Sequence, residues 1–373
     1  MDDVFTGVSE VLRPRWQVTV AGKVIRGCYS CEVHNTNARQ AARASMRIAM
    51  SDDPELTPAW WAKLDRPDCE IKAAFLPEGA EEGTETWTTL WMGPGDKLHL
   101  DTLRGQVEIE GRDYLGKLLE TKTRETFANK TSSEVVQIIA ARHGYTADVT
   151  PTTILVGQYY KIEHDRTTLD STSKTSNEGE ILFRLAKEEG YDVYMTGKTI
   201  HFHPAAKVDT SNPHILTLTP RSQDSAYPIS PVTDIVYERD WGVAKDIKVI
   251  IKSWNSHNKH ASETVYPEHA KKDAAVYTFV RPNLSPAEAL KQAQSMHEDI
   301  SKHERRAQIT MPGELKLMAQ GPQAVVKLVG TETSADGFEM TFFVDEVTRE
   351  FSFDGSFVQH VRLKNHSATT EPT

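Results

Sequence analysis

A chain of 373 residues with 38% hydrophobic and 8% aromatic residues has room and material for two to four cores. Its formal net charge of −10 argues against a dedicated nucleic-acid binder, because affinity for phosphates comes largely from Lys and Arg releasing counterions. No run of about 18 apolar residues marks a membrane span, and Met1–Val20 lacks the basic and apolar regions of a signal peptide, so synthesis in a reducing cytoplasm is expected.

Residues 14–26 read as a hairpin: Trp16, Val18 and Val20 alternate, Ala21-Gly22 is the turn, and Val24 with Arg26 begins the return. Strand or bulge continues over 27–36 with Cys31 and Val33 in the pattern. Met46, Ile48 and Met50 alternate next, and Ser51-Asp52-Asp53-Pro54 signals a turn. The segment PAWWAKL reads as a short helical turn whose tryptophans pack the core in preference to a neighbouring subunit. Ile71 to Phe75 is a strand, and the acidic, Gly-rich 77–85 is an exposed loop. Trp87, Thr89 and Trp91 resume the alternation, and two further strands are split near Thr102 to Gly105, the second carrying Val107 and Ile109. Six or seven short strands separated by turns predict a closed or nearly closed barrel.

Gly111-Arg112-Asp113-Tyr114 ends that unit, and Tyr114, Leu115, Leu118 and Leu119 follow at helical spacing. A polar break from Thr121 to Lys130 leads to a second helix. Its capping box is Thr131 with Glu134, its apolar face Val135, Ile138, Ile139 and the stem of Arg142, and its stop Gly144. Residues 147–162 are extended and Thr-rich, and 164–178 are polar loop. Thr175 or Ser176 is then expected to cap a helix with Ile181, Leu182, Leu185 and Ala186 buried and Gly190 at its end. A hairpin follows, with Tyr191, Val193 and Met195, a turn at Thr196-Gly197-Lys198, then Ile200 and Phe202.

From Ile215 to Val265 the pattern is β again. Ile229, Val232, Ile235 and Val236 precede a hairpin-like 237–255, in which Ile247, Val249 and Ile251 alternate with Lys248, Ile250 and Lys252. The polar 256–263 reads as loop and Tyr277 to Val280 as strand. Ser285 and Glu288 form a capping box with Pro286 at the first helical position, predicting a helix over 286–303 lined by Leu290, Ala293, Met296, His297 and Ile300. The last β unit has turns at Pro312-Gly313 and Gly321-Pro322 and a strand from Val325 to Val329. A strand with Phe338, Met340, Phe342 and Val344 is followed by another with Val347 and Phe351, and Asp354-Gly355 turns into Phe357, Val358 and Val361. The tail from Asn365 is polar and expected to be disordered.

Candidate chemistry is sparse. Three cysteines build no disulfide framework. Cys28-x-x-Cys31 has ligand-like spacing, but Cys69 is far off, no second pair completes a zinc site, and strand positions 28 and 31 point to opposite faces. His201-x-His203 puts two potential metal ligands on one strand face, yet no Asp, Glu or Cys partner is evident nearby, so the surface reading outweighs the metal one. His257 and His260 lie in a polar loop and weigh less. No G-x-S-x-G, H-E-x-x-H or P-loop occurs. Among 53 acidic residues no pair is singled out for glycoside hydrolysis. Arg112 and Asp113 are read as ion-paired or hydrogen-bonded at the junction between β unit and helix rather than as catalytic groups. No cofactor is expected.

In order, these segments resemble baseplate hub proteins of contractile-tailed bacteriophages, related to late control protein D and to the base of type VI secretion spikes. The resemblance rests on GQVEIEGRDYLGKLL, on KTSSEVVQIIAARHGY with EILFRLAKEEGYDVYMTGKTIHFHP, and on SPAEALKQAQSMHED with the closing β segments; residues 70–90 and 255–275 depart from it. It implies a mainly β fold with α+β insert modules, in which two tail-tube-like β-barrel domains are separated by small helix–hairpin modules. The expected division is a first barrel at 1–112, small modules at 113–214, a β-rich connecting domain at 215–283, helix plus second barrel at 284–365, and a tail at 366–373. Gly111, Arg112, Asp113 and Tyr114 become a structural junction. The implied role is a non-enzymatic homotrimer adapting a six-fold tail tube to a three-fold spike. Its neighbours would be the tail tube, spike, baseplate wedge and tape measure proteins, with no integral membrane association. DNA would pass through without specific binding, because three copies of an acidic chain make repulsive or neutral walls. A peptidoglycan-binding or cell-wall-degrading tail protein is the other class, prompted by the small modules, and a secretion-system spike base the third.

Overall fold

Alternation along the first hundred residues becomes seven strands because each buries one face in a shared core. The computed structural model describes residues 12–36, 40–50, 55–77, 79–123, 125, 127, 129–153, 155–156, 176–204, 214–218, 231–241, 247–255, 260–270, 274–281, 284–301, 305–319, 325–329, 340–354 and 356–365. The expected turns at Ser51–Pro54, Gly321-Pro322 and Gly355, most of the 147–178 loop, Ile229, His257, Phe338 and the tail beyond Asn365 lie outside them. Strands β1 (Leu12–Val20) and β2 (Lys23–Ile25) close on Ala21-Gly22, with φ of 50° and 78°, a turn whose twist matches its flanking strands. Then come β3 (Cys28–Thr36), β4 (Arg43–Ala49), α1 (Pro58–Ala62), β5 (Asp68–Pro77), β6 (Thr88–Asp101) and β7 (Gln106–Arg112). Thr57 caps α1, which drives Trp61 fully into the core and leaves Trp60 packed against its edge.

Two expectations in this unit are corrected. The register slips between Cys28 and Ser30, and that bulge turns both Cys28 and Cys31 into the core instead of onto opposite faces. Cys28 Sγ donates to Ser30 O at 3.4 Å. The neighbouring Cys28 thiol together with burial pushes Cys31 well up, and burial pushes Cys69 up to about 12. Secondly, the strand carrying Trp91 and the next one, expected to end near Thr102, are a single strand through Gly93-Pro94-Gly95. This strand, β6, pairs with β5 up to Pro94 and with β7 from Gly95 onward.

The middle of the chain builds one α+β module. α2 (Tyr114–Glu120), β8 (Lys122–Thr123), β9 (Lys130–Thr131), α3 (Ser132–Arg142), β10 (Thr146–Val149), β11 (Leu155–Val156), β12 (Ser176–Asn177), α4 (Glu178–Glu189), β13 (Tyr191–Thr196) and β14 (Thr199–Pro204) follow one another. Both bonds of the Thr131–Glu134 capping box form. The cap of α4 is Asn177, not Thr175 or Ser176, since the Asn177 side chain accepts from Glu180 N at 2.7 Å. Leu118, Val135, Ile139, Leu182, Leu185 and Phe202 share one core. The two sequence segments thus fuse into one module, because β10 pairs in parallel with β14.

Strands β15 (His214–Thr217) and β16 (Asp234–Arg239) join the last β unit, made of β20 (Arg305–Pro312), β21 (Val325–Val329), β22 (Thr341–Ser352) and β23 (Ser356–Asn365). β17 (Ile247–Asn255), β18 (His260–Tyr266) and β19 (Ala275–Val280) form a separate three-stranded sheet under α5 (Pro286–Ser301). The hairpin-like 237–255 is therefore split between two sheets, and residues 260–263 are strand rather than loop. α5 buries Ala289, Ala293 and Met296 and leaves Leu290 40% exposed, so Ala289 takes the position expected of Leu290. No described helix is long and apolar enough to cross a membrane.

Thirteen strands from both β units belong to one sheet, joined where β3 pairs with β22. β22 is one strand, not two: at the Val344/Glu346 bulge it exchanges β21 for β3 as its partner while β23 stays on its other side. Among the described residues no sheet closes on itself, and the path runs open from β16 to β2. The fold is mainly β with α+β inserts, and along β22 the buried Arg349 falls between Val347 of one β core and Phe351 of the other.

Candidate functional site

β7 passes directly into α2, and the four residues of that corner meet three parts of the molecule. Gly111 pairs with Ala44 and Gly95 and leaves no space for a side chain: a Cβ would lie 2.5 Å from Pro94 O and 2.9 Å from the Trp91 ring. Arg112 Nε donates to Asp96 Oδ2 at 2.7 Å and its other arm to Glu120, while Arg66 reaches Asp96 at 2.9 Å and Glu120 at 2.8 Å. Burial alone would raise the Asp96 carboxyl; the two guanidiniums, Arg112 foremost, outweigh it and hold it below its ordinary value. Partly exposed pairs of this kind contribute little stability, but four of them meeting on β6, β7 and α2 set the corner's geometry.

Asp113 is the buried element. Its Oδ1 accepts from Leu115 N at 3.0 Å and caps α2, and its Oδ2 accepts from Ala42 N at 3.1 Å. Asp113 N returns a bond to Ala42 O at 2.8 Å, and Trp91 Nε1 donates to the same oxygen at 3.3 Å. One carboxylate thus ties the helix start to the segment entering β4. Burial pushes the Asp113 carboxyl up to about 7, against the backbone N–H groups that favour its charged form. A raised folded-state pKa means the folded chain holds the proton more tightly than the unfolded chain does. The contribution is complete below about pH 4 and is lost as pH rises through 7. Wild-type stability should therefore fall relative to Asp113→Asn across that window, as read by denaturant melts at a series of pH values; parallel profiles would contradict it.

Tyr114 is buried, with its ring 5.7 Å from that of Tyr145 and Lys198 Nζ 5.0 Å above it. Lys198, in the β13–β14 turn, also pairs with Asp68 at the start of β5 at 3.2 Å. Through Tyr114 and Lys198 the helical module is seated on the first β unit. The four corner residues, adjacent in sequence, contact β6, the segment before β4 and the β13–β14 turn. Sequence reasoning missed their partners Ala42, Arg66, Asp96 and Lys198, which lie on other elements and carry no local signal.

A second buried charge joins the helices. Glu178, fully buried at the first turn of α4, receives Arg142 and His143 from the end of α3, and Arg142 also reaches Glu125. Glu178→Ala should cost about 3 kcal/mol in chemical denaturation, the lower end for breaking a buried pair because Arg142 keeps Glu125. A cost below about 1 kcal/mol would show that the pair is not what holds α3 against α4.

His201 and His203 share the outer face of β14, as the i, i+2 spacing requires, while Ile200 and Phe202 are buried on the other. The acidic partner not evident in the sequence is Asp148 on β10, the Cα partner of His201 across the parallel pair. Its Oδ2 lies 2.9 Å from His201 Nδ1 and 3.1 Å from His203 Nε2. His260 begins β18.

No protein family and no curated relative matches the sequence. Solved structures do match it in fold. A tail protein from Neisseria meningitidis superposes with a TM-score of 0.66 at 15% identity, over 95% of this chain and 97% of that one. A 43 kDa prophage tail protein from Shewanella oneidensis gives 0.62 at 14% identity, over 93% and 97%. An Escherichia coli type VI secretion component, described as similar in structure to the phage T4 tail proteins gp27 and gp5, gives 0.53 at 12% identity, over 95% and 79%.

Proposed function

Because the chain has the fold of phage tail hub proteins, we propose that it is the structural hub of a tail baseplate and acts by assembly rather than catalysis. In this reading each copy contributes its two β units, joined in one open sheet, and three copies set six such units around an axis. Six units suit a six-fold tail tube and three copies a three-fold spike, so one trimer adapts one symmetry to the other. The tube, spike, wedge and tape measure proteins would be its neighbours. The ring would line part of the DNA exit channel, where an acidic chain favours passage over adsorption.

The observation that supports this most is the β3–β22 pairing, which locks two β units with separate cores into one sheet. The sheet's open ends supply a means of assembly. Among the described residues β16 and β2 are edge strands, and an unprotected edge is a template for another chain. On and just after β16, Val236 is 53% and Trp241 77% exposed, an apolar surface suited to a subunit contact. The Gly111–Tyr114 corner is architectural in this reading, and Arg112→Ala should lower particle yield without altering any turnover.

Native mass spectrometry of the purified chain, alone and with tube and spike proteins, should give a three-copy species. Val236→Asp with Trp241→Ala should reduce it to single copies with an unchanged circular dichroism spectrum. A chain that stays monomeric with its tail partners, or that degrades peptidoglycan, would overturn the assignment. A secretion-system spike base is the second reading, favoured by the likeness to the Escherichia coli component, and co-purification with a secretion tube in place of a phage tube decides for it.

A further inference from the structure

The outer face of the β10–β14 pair carries a constellation that tail assembly does not call for. β10 and β14 run parallel, with Asp148 opposite His201, and the two-residue strand period brings His203 onto the same face. The buried side of β14, Ile200 and Phe202, anchors this register in the module's core, so the three side chains are presented from a rigid sheet and not from a loop. We propose that Asp148, His201 and His203 form a binding site for one transition-metal dication of the zinc class, with Asp148 Oδ2, His201 Nδ1 and His203 Nε2 as ligands.

Geometry carries the assignment. All three donor atoms lie within 4.8 Å of one another. The carboxylate oxygen is 2.9 Å from one imidazole nitrogen and 3.1 Å from the other. Metal–ligand bonds of about 2.0–2.1 Å in a tetrahedral arrangement set neighbouring donors roughly 3.3 Å apart, so the two carboxylate–imidazole pairs need to open by only a few tenths of an ångström. Two imidazoles and one carboxylate suit zinc, cobalt or nickel rather than calcium or magnesium, which take oxygen ligands. Three protein ligands leave a fourth position open.

Both rings are also held from behind. His203 Nδ1 is hydrogen-bonded to Thr150 Oγ1 at 2.8 Å, and when that nitrogen carries the proton, Nε2 presents its lone pair to the ion. His201 is stacked on Tyr194, its cross-strand partner on β13, with ring centroids 4.7 Å apart and planes at 16°. His201 and His203 are half-buried and Asp148 is exposed, so an ion can enter from solvent without the sheet opening. A bound ion would clasp β10 to β14.

The test is titration of the full-length, metal-stripped chain with cobalt(II) alone, followed by visible spectroscopy, and with zinc(II) by calorimetry. One equivalent should bind, with the intense d–d bands of a tetrahedral nitrogen–oxygen site. His201→Ala and His203→Ala should each abolish those bands while leaving the circular dichroism spectrum unchanged, as expected for partly exposed positions. Thr150→Val should weaken binding about 10–100-fold, the usual cost of removing such a supporting bond. Three results would overturn the proposal: no saturable binding, binding unchanged in both histidine variants, or a thiolate charge-transfer band showing that Cys28, Cys31 or Cys69 holds the ion. In the first case the three residues are a carboxylate–imidazole hydrogen-bonded cluster and nothing more.

Discussion

Gly93→Ala is expected to yield little folded protein. A Cβ at this position would sit 2.2 Å from Arg112 O, 2.7 Å from Asp113 Cα and 2.9 Å from Arg112 C. All three are backbone atoms of the corner that starts α2, so no side chain can swing aside. Relief requires either β6 or the β7–α2 junction to move, and the junction is tied by Asp113 to Ala42 and by Arg112 to Asp96. Overpacking a well-filled site costs typically 1–3 kcal/mol and occasionally more. Here the bonds broken by the shift add to it, and a total of about 4 kcal/mol or more is expected. Gly95→Ala, two residues on, is the internal control. Its Cβ would meet Ile109 Cγ2 at 3.2 Å and the Pro67 ring at 3.6 Å, side chains that can give way. Soluble yield and urea melts separate the two variants; equal stability would show that the strand crossing is not the constraint.

Phe351→Ala should be as damaging, and its effect should appear in a part of the chain distant in sequence. The β22–β23 hairpin belongs by pairing to the last β unit, but its tip enters the core of the first. Phe351 and Phe357 stack at 4.0 Å, Trp16 lies 5.7 Å from Phe351, and Phe75 lies 5.8 Å from Phe357. Truncating a buried Phe in such a cluster costs about 3–5 kcal/mol. The two phenylalanines should be strongly non-additive, since their rings stack directly on each other. Amide exchange is expected to speed up in β1 and β5, more than three hundred residues' separation notwithstanding in the case of β1. Exchange confined to β22 and β23 would mean that the first unit holds its shape without the tip.

Much of this fold was legible from period and punctuation. Alternation located β1, β4, β7 and β17. Capping boxes at Thr131 and Ser285 formed as read, and Ala21-Gly22, Gly144 and Gly190 sit at their turns and helix ends with positive φ. These signals are local, because a cap or a turn is completed within about four residues. Three of the misreadings share one physical cause. Gly93-Pro94-Gly95 looks like a chain break and is instead where one strand changes partners. Asp345-Glu346 looks like a polar gap and is a bulge doing the same. The slip beside Cys28 reverses which face a thiol occupies. Each depends on a neighbouring strand from elsewhere in the chain.

The candidate sites divide along the same line. Gly111 to Tyr114 stood out because a strand period gives way there to a helical one, and the i, i+2 spacing of His201 and His203 was visible. Their partners were not: Asp148 lies 53 residues from His201, and Ala42 lies 71 residues from Asp113. The sequence by itself determined where most helices and tight turns lie and which face of strands such as β1, β4 and β7 is apolar, since those follow from residues a few positions apart. Only the tertiary structure decided that two β units share one sheet, that a hairpin from one fills the core of the other, and that an aspartate completes a pair of histidines. Strand pairing is selected by the burial of whole faces, and a period of two records which face is apolar without recording which strand will cover it.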